Sequence, residues 1–390
     1  MRRFSLPSRV SLPLCLASIN LLSNCAVESS NVFLALYARD IGSTNLQVGF
    51  IAAGSGIAFL VASLWFGRLS DIHGRLKYIR AGLAISSVAY LSQSLAHSFP
   101  ALLAARAFVG FSIGVNSSVI MAYTYEHQRH IGSFISYGSL GWLTGAAIGA
   151  IVKDFQALFI ISAVIAFLAL LVSFFLKDEA VGRTPVTTFP WRLVRADYRI
   201  YLAFFLRQLG GTAIWTVFPL YLAGIGASKV WIAMMEITNM VGQFVAMRLV
   251  ERFNPAKMFR AGLVISVVVF VLYGLANRYL QIVPVQLLLS VGYSALLVGA
   301  LSYLLARSSE RGTVAGLLNS SMSLSASLGP FLGGAVSEAW GYSSVMYVGA
   351  GITLLGLIST RGLKDRSTGG TGGPDAPSRP TNSGRVKSGG

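Results

Sequence analysis

Twelve long apolar runs dominate this sequence and constrain its fold more than any other feature. Each run approaches or exceeds the length of about 20 residues that an apolar helix needs to cross a bilayer core. Backbone polar groups find no partners in lipid, so these runs must be helices, and the absence of period-two alternation excludes a membrane β-barrel. The predicted spans are residues 12–37, 46–66, 78–96, 99–122, 132–152, 156–176, 199–222, 229–249, 259–276, 280–305, 313–335 and 340–360.

The composition excludes an ordinary soluble enzyme and a disordered chain. Hydrophobic residues make up 54% of the sequence and charged residues only 12%, whereas a soluble domain is roughly a quarter charged. The net charge of +17 does not indicate nucleic-acid binding, because the basic residues are spread thinly between the apolar runs. Asn20 and Asn24 interrupt the first run, which favours a retained membrane helix over a secretion signal.

The distribution of basic residues predicts the orientation. With the amino terminus inside, 25 of the 31 Lys and Arg residues fall in inner segments, and two lie within spans. The outer loops contain only Arg39, Lys153, Lys229 and Arg278. Positively charged loops stay in the cytoplasm, so we expect both termini there and a multi-pass protein of the plasma membrane.

The two halves of the chain repeat each other. Arg80–Leu83 recurs as Arg260–Leu263, and Gly145 and Gly149 recur as Gly329 and Gly333. The offsets of about 180 residues place six spans in each half, so the halves have the same direction and form parallel repeats. The predicted organisation is a six-helix bundle over 1–176, a cytoplasmic linker over 177–198, a second bundle over 199–362 and a disordered tail over 363–390.

The loop after the second span carries a motif with Gly67, Asp71, Gly74 and Arg75 at fixed spacing. It resembles the signature loop G-x-x-x-D-x-x-G-R of the major facilitator superfamily. The resemblance implies an all-α membrane protein with twelve transmembrane helices in two parallel six-helix pseudo-repeats, working by alternating access. It also implies a gating loop that latches the outward-facing state, with Glu126 at the inner end of the fourth span as partner of Asp71 and Arg75.

Two ionisable residues within the spans of the first half lie at similar estimated depth. Glu28 is in the first span and Arg106 in the fourth, where Arg106 and Gly110 resemble the signature of proton-coupled antiporters in the superfamily. An ionisable group in hydrocarbon needs a partner or water. Burial disfavours a charged Glu28 and Arg106 would favour it, so we predict a proton-coupling pair. A static salt bridge that fixes helix packing is the alternative.

Arg207 and Glu236 are the comparable residues of the second half, with a structural pair and a substrate role both open. In the fifth span, Gly141, Gly145 and Gly149 resemble an antiporter motif, but tight packing alone would explain them. The family resemblance further implies a substrate cavity, and the polar and aromatic candidates for its lining are Asn24, Asn116, Tyr137, Trp142, Gln208, Trp215, Gln286 and Tyr293.

The sequence therefore predicts a secondary transporter and not an enzyme, with proton-coupled efflux of a small lipophilic or sugar-like solute as the preferred function. A facilitator or symporter, and a receptor that keeps the fold without transport, are the alternatives. The expected partners are the solute, protons and the lipid bilayer, with no nucleic acid, cofactor or metal. We expect a monomer.

Overall fold

The structure is a computed structural model that describes residues 12–127, 131–176, 191–250, 252–308 and 311–361. Within these ranges the structure does not describe some of the side chains, among them those of Asp71 and Glu126. The described residues form helices joined by short turns. The fourteen α-helices are α1 (Leu12–Asn31), α2 (Leu34–Asp40), α3 (Asn45–His73), α4 (Leu76–Gln93), α5 (Phe99–His127), α6 (Ile131–Val152), α7 (Phe155–Ser173), α8 (Trp191–Ala196), α9 (Tyr198–Gly224), α10 (Lys229–Val250), α11 (Pro255–Leu275), α12 (Ile282–Arg307), α13 (Arg311–Trp340) and α14 (Tyr342–Ser359).

A helix lies at each of the twelve predicted spans, which confirms the all-α membrane fold. Eight helical segments in the described part of the chain are long and apolar enough to cross a membrane. The remaining four spans correspond to α4, α6, α9 and α13. The first span is divided into α1 and α2 by a turn at Val32 and Phe33, which the apolar pattern did not indicate.

The sequence repeat reappears in how the helices pack. A Cβ atom added at Gly145 of α6 would lie 2.7 Å from the carbonyl oxygen of Cys25 in α1. One added at the equivalent Gly329 of α13 would lie 2.8 Å from the carbonyl oxygen of Leu209 in α9. The fifth helix of each half therefore packs closely on the first, and the glycines are required because backbone lies against backbone.

The two ends of the helical bundle differ in how the halves meet. One end, which we name the Gly42 end, carries the turns at Gly42, Gly226 and Gly341, all with positive φ. The opposite end, the Gly74 end, carries the turn at Gly74. Near the Gly42 end the apolar core mixes residues of both halves, with Val32 and Phe33 packed among side chains of α9, α10 and α11.

At the Gly74 end each half has a separate core. One cluster joins Leu16, Ile79 and Val119 of the first half, and another joins Phe204, Phe259 and Leu296 of the second half. Across the described residues, the halves pack through α3 with α13 and through α6 with α10. A Cβ added at Gly49 of α3 would lie 2.6 Å from the carbonyl oxygen of Pro330 in α13, so the halves approach closely at the Gly42 end.

Candidate functional site

Two buried carboxyl groups from opposite halves meet within the bundle. The side chains of Glu28 on α1 and Glu236 on α10 are in hydrogen-bonding contact, and they are only 3% and 9% exposed. Behind Glu28 lies α6, where a Cβ added at Gly145 would be 2.6 Å from the Cβ of Glu28. The contact therefore lies where α1, α6 and α10 come together, at the junction of the two halves.

Arg106 binds the end of α1 instead of Glu28. Its guanidinium donates to Asn31 Oδ1 at 2.6 Å and Gln93 Oε1 at 3.1 Å, with a weaker contact to Ser30 Oγ at 3.4 Å. Among the described residues Arg106 forms no ion pair. The predicted pairing of Glu28 with Arg106 is therefore corrected by the structure.

Helix geometry explains this correction. The two residues do lie at similar depth, since Arg106 reaches Ser30 and Asn31, which are two and three positions after Glu28. Ser30 is rotated by about 200° from Glu28 and therefore faces a different neighbour, and Asn31 is the last residue of α1, next to the turn at Val32 and Phe33. Glu28 faces α6 and α10, whereas the end of α1 faces α4 and α5.

Arg207 likewise does not pair with Glu236. Its Nε donates to Ser266 Oγ at 3.0 Å and its Nη1 to Gln208 Oε1 at 2.6 Å. The guanidinium also lies 5.1 Å from the ring centroid of Tyr293 and 5.5 Å from that of Phe270. Neutral acceptors and aromatic faces compensate the buried charge, so the structural pair of Arg207 with Glu236, one of the two alternatives left open by the sequence, does not form among the described residues.

Several predicted cavity residues form a polar cluster in the first half. Trp142 donates from Nε1 to Asn24 Oδ1 at 2.8 Å, and Asn24 in turn donates to Asn20. A cavity of about 70 Å³ between α1, α4, α5 and α7 is lined by Asn24 and Asn116 among others. Asn116 is 6% exposed, and its Oδ1 has no hydrogen-bond partner in the described part of the chain.

The other predicted cavity residues are distributed over separate places. Gln208 and Tyr293 belong to the cluster around Arg207. Gln286 is fully buried, and neither side-chain amide atom has a described partner. Trp215 packs edge-on against Phe218, with ring centroids 5.0 Å apart, and Tyr137 is 37% exposed.

The motif after the second span is helical for most of its length. Gly67 and Asp71 lie in the last turns of α3, which extends to His73, so these two residues belong to the helix and not to a loop. The turn itself is at Gly74, whose φ of 90° favours glycine. Arg75 is the N-cap residue of α4. The contacts predicted for Asp71 and Glu126 involve side chains outside the described residues.

Polar contacts fasten the halves at the Gly42 end. Asn45 of α3 accepts from the hydroxyl of Tyr342 at 3.0 Å, and the backbone N–H of Leu46 donates to Glu338 at 3.2 Å. Lys229 of α10 donates to the carbonyl oxygen of Lys153 at 2.8 Å and lies 3.7 Å from the ring centroid of Phe155. These contacts join residues about 75 and 290 positions apart in sequence, so they connect opposite halves.

Comparison with known proteins assigns the family. The family model described as Major Facilitator Superfamily matches residues 16–235 and 200–383, which together span most of the chain. The chain belongs to the major facilitator superfamily. Similar proteins include the quinolone resistance protein NorA of Staphylococcus aureus (strain MSSA476), 24% identical over 353 residues that cover 83% of this chain and 89% of NorA. The multidrug resistance protein MdtG of Salmonella choleraesuis (strain SC-B67) is 24% identical over 377 residues, covering 86% of this chain and 91% of MdtG.

Solved structures of transporters share the fold of this superfamily member. A bacterial homologue of the human lysosomal transporter Spinster, in an inward-facing and occupied conformation, matches with a TM-score of 0.77 and 16% identity, covering 94% of this chain and all of that one. The nucleoside transporter NupG matches with a TM-score of 0.74 and 13% identity, covering 90% of this chain and 98% of that one. The protein is thus a multi-pass membrane transporter of the major facilitator superfamily and not an enzyme.

Sequence reasoning missed the residues that hold the two buried arginines of this transporter. Asn31 and Gln93 bind Arg106, and Ser266 binds Arg207. All three are polar residues within predicted spans, and polarity at such positions indicates a buried polar contact. Their faces could not be assigned because the helices carry little amphipathic periodicity, as expected where one side contacts lipid and the other contacts protein.

Proposed function

We propose that this protein exports a small organic solute across the plasma membrane in exchange for protons. Both of the relatives described above are named for drug resistance, NorA for quinolones and MdtG for multiple drugs. The 24% identity supports a shared type of transport more than a shared substrate. The distribution of basic residues supports cytoplasmic termini, which assign the Gly42 end to the outer side and the Gly74 end to the cytoplasm.

The observation that carries the proposal is the position of Glu28. This carboxyl group is 3% exposed in a membrane-spanning helix, at the junction of the two halves. An ionisable group at such a place is costly and marks a path for ions or protons. Because the halves move against each other in alternating access, a carboxyl group at their junction changes its environment during the cycle and can bind and release a proton.

The polar residues of the first half suit a lipophilic or sugar-like solute. Trp142 offers a ring face, and Asn24 and Asn116 offer amide groups in the cavity between α1 and α5. None of these three side chains is charged, so they recognise a solute by stacking and hydrogen bonding. We assign Trp142, Asn24 and Asn116 to solute binding.

The motif around Gly74 supports a gate at the cytoplasmic side. The turn at Gly74 lets Arg75 begin α4 directly after α3 ends. In this proposal Asp71 and Arg75 latch the outward-facing state together with Glu126, as the resemblance of the motif implies.

Transport in proteoliposomes tests the proposal. A thermal-shift screen of the purified protein at two pH values, which includes quinolones and sugars, selects the solute that serves as the probe. We expect an imposed pH gradient to drive accumulation of this probe by the parent protein. Glu28→Gln should abolish the gradient-driven accumulation and keep counterflow exchange, because the amide binds no proton.

Asp40→Asn is the matched control, since Asp40 is an exposed acidic residue at the end of α2. It should behave like the parent protein. A Glu28→Gln variant that responds to the pH gradient as the parent does would show that Glu28 does not couple protons. A parent protein that binds the probe without any flux would favour the receptor function.

A further inference from the structure

The contact between Glu28 and Glu236 constrains the protonation state of the two carboxyl groups. A carboxylate only accepts hydrogen bonds, so two carboxyl groups bond to each other only when one of them is protonated. Two like charges in contact within a low-dielectric interior would repel strongly. The buried contact between Glu28 and Glu236 therefore holds a proton.

Among the described residues, the surroundings of the two carboxyl groups contain no cation that would replace the proton. Helix α6, packed against both α1 and α10, has Tyr137 as the only ionisable side chain among its described residues, and α7 has none. In α1 itself the ionisable neighbours are Cys15 and Cys25, both buried thiols. The remaining ionisable residues on helices connected to or packed against the pair are Tyr37, Arg39 and Asp40 on α2, Tyr198, Arg199, Tyr201, Arg207 and Tyr221 on α9, Lys229 and Arg248 on α10, and Tyr293, Tyr303 and Arg307 on α12.

The cations on these helices have other partners or lie at helix ends, and Arg106 of α5, which reaches the end of α1, is bound to Asn31 and Gln93. Arg207 is bound to Ser266 and Gln208, and Lys229 contacts Lys153 and the ring of Phe155 at the Gly42 end. One carboxyl oxygen of Glu236, Oε2, is buried and has no hydrogen-bond partner among the described residues. A charged carboxylate would be costly in that position, and a neutral one is tolerated more easily.

We infer that Glu236 is a second proton-coupling residue, and that a proton shared with Glu28 holds the two halves together at the Gly42 end. The inference deepens the proposed function, on which it rests for the direction of transport. Each half contributes one carboxyl group, so the shared hydrogen bond exists only while the halves are in contact. A ligand that binds only one of two conformations shifts the equilibrium toward that conformation, and here the ligand is the proton.

This arrangement links proton binding to the transport cycle. When the proton leaves, two carboxylates face each other across the junction and their repulsion favours separation of the halves at the Gly42 end. When a proton binds, closure of this end regains the hydrogen bond. In the proposed orientation, protons from outside therefore return the empty transporter to the state that is closed to the outside, as an exchange of solute for protons requires.

Distances between spin labels across the Gly42 end test the inference. His97 of the first half and Asn277 of the second are exposed and lie in turns at this end. The two native cysteines, Cys15 and Cys25, are first replaced by serine so that they cannot be labelled. His97 and Asn277 are then replaced by cysteines that carry the spin labels. For the otherwise unchanged protein we expect the short-distance population to increase on acidification, with the ratio of the two populations changing by up to about tenfold per pH unit for one proton.

The variants Glu28→Gln and Glu236→Gln should each retain the short distance at every pH, because an amide donates the hydrogen bond without binding a proton. Asp40→Asn should keep the pH response. Elution of each variant as a single species controls for folding. A Glu236→Gln variant with an unchanged pH response, or a parent protein without one, would overturn the inference.

The transport assay separates this inference from the proposed function. If Glu28→Gln loses gradient-driven transport while Glu236→Gln keeps both transport and the distance response, the proposed function stands and the role of Glu236 is disproved. If the parent protein shows no proton-driven transport, the proposed function fails, and the label distances still decide whether the two carboxyl groups close the Gly42 end on protonation.

Discussion

Arg106 donates a 2.6 Å hydrogen bond to the side chain of Asn31, the residue at which α1 ends. The contact crosses from α5 to the interruption between α1 and α2, and Gln93 of α4 completes it. Polar side chains such as Ser30 and Asn31 compete with the helical backbone for hydrogen bonds, which favours an interruption at this place. Arg106 therefore stabilises the interruption between α1 and α2 and does not pair with Glu28. The carboxyl group of Glu28 instead contacts Glu236 of the other half.

Replacement of Arg106 should affect stability more than coupling. We expect Arg106→Ala to lower the stability of the folded protein by about 2–3 kcal/mol, because charged hydrogen bonds to Asn31 and Gln93 are lost. The measurement is the thermal midpoint in detergent, with Arg195→Ala on the exposed face of α8 as control. A variant as stable as the parent that has lost gradient-driven transport would instead assign Arg106 to coupling.

Gly145 should not tolerate even one additional methyl group. The Cβ of alanine would lie 2.6 Å from the Cβ of Glu28 and 2.7 Å from the carbonyl oxygen of Cys25, so α1 and α6 must separate. We expect Gly145→Ala to lower the thermal midpoint and to reduce transport at least about tenfold, since the proposed coupling residue is displaced.

Gly351→Ala is the matched control for Gly145→Ala. No atom lies within 4 Å of a Cβ added at Gly351 on α14. Alanine is the better helix former by about 0.5–1 kcal/mol, so this variant should be as stable as the parent protein or slightly more stable. Equal behaviour of the two variants would argue against close packing at Gly145.

Lys229 should stabilise closure of the Gly42 end. It donates to the carbonyl oxygen of Lys153 and lies over the ring of Phe155, both in the first half. Because an exposed cation–π contact contributes about 0.5–1 kcal/mol, Lys229→Ala should reduce the ratio of closed to open molecules about two- to fivefold.

The label distances at residues 97 and 277 measure this shift. Lys257→Ala, an exposed lysine at the start of α11, should leave the distances unchanged. Identical distance distributions for Lys229→Ala and the parent protein would mean that Lys229 contributes nothing to closure.

Asp71→Asn should slow turnover without removing solute binding. The proposed latch at the Gly74 end needs the negative charge of Asp71 to stabilise the outward-facing state, and the amide lacks that charge. Initial rates of transport and the affinity for the probe solute are measured side by side, with Asp40→Asn as control. An unchanged rate would contradict the latch.

The sequence predicted the positions of the helices in the chain, and the depth of their residues, better than the rotation of each helix about its axis. A described helix lies at each of the twelve spans predicted from apolar length, and the glycine repeat correctly related α6 to α13. The depth of Glu28 and Arg106 was also correctly estimated, since Arg106 reaches Ser30 and Asn31. Rotation about the helix axis is a different quantity, and apolar runs without strong periodicity do not encode it.

The partners of the buried ionisable residues depend on that rotation and on tertiary packing. Arg207 contacts Ser266 and the ring of Tyr293, both distant in sequence, and Glu236 contacts Glu28 in the other half. An expectation that opposite charges pair favours Arg–Glu contacts. The structure instead brings together two carboxyl groups, which a proton stabilises.

Proton movement during solute transport tests the central claim most directly. Vesicles that contain the protein and a trapped pH indicator are given a gradient of the probe solute without an imposed pH gradient. The account predicts that the solute drives protons in the opposite direction through the parent protein, and that Glu28→Gln moves none. Solute flux through the parent without proton movement, or unchanged proton movement through Glu28→Gln, would contradict it.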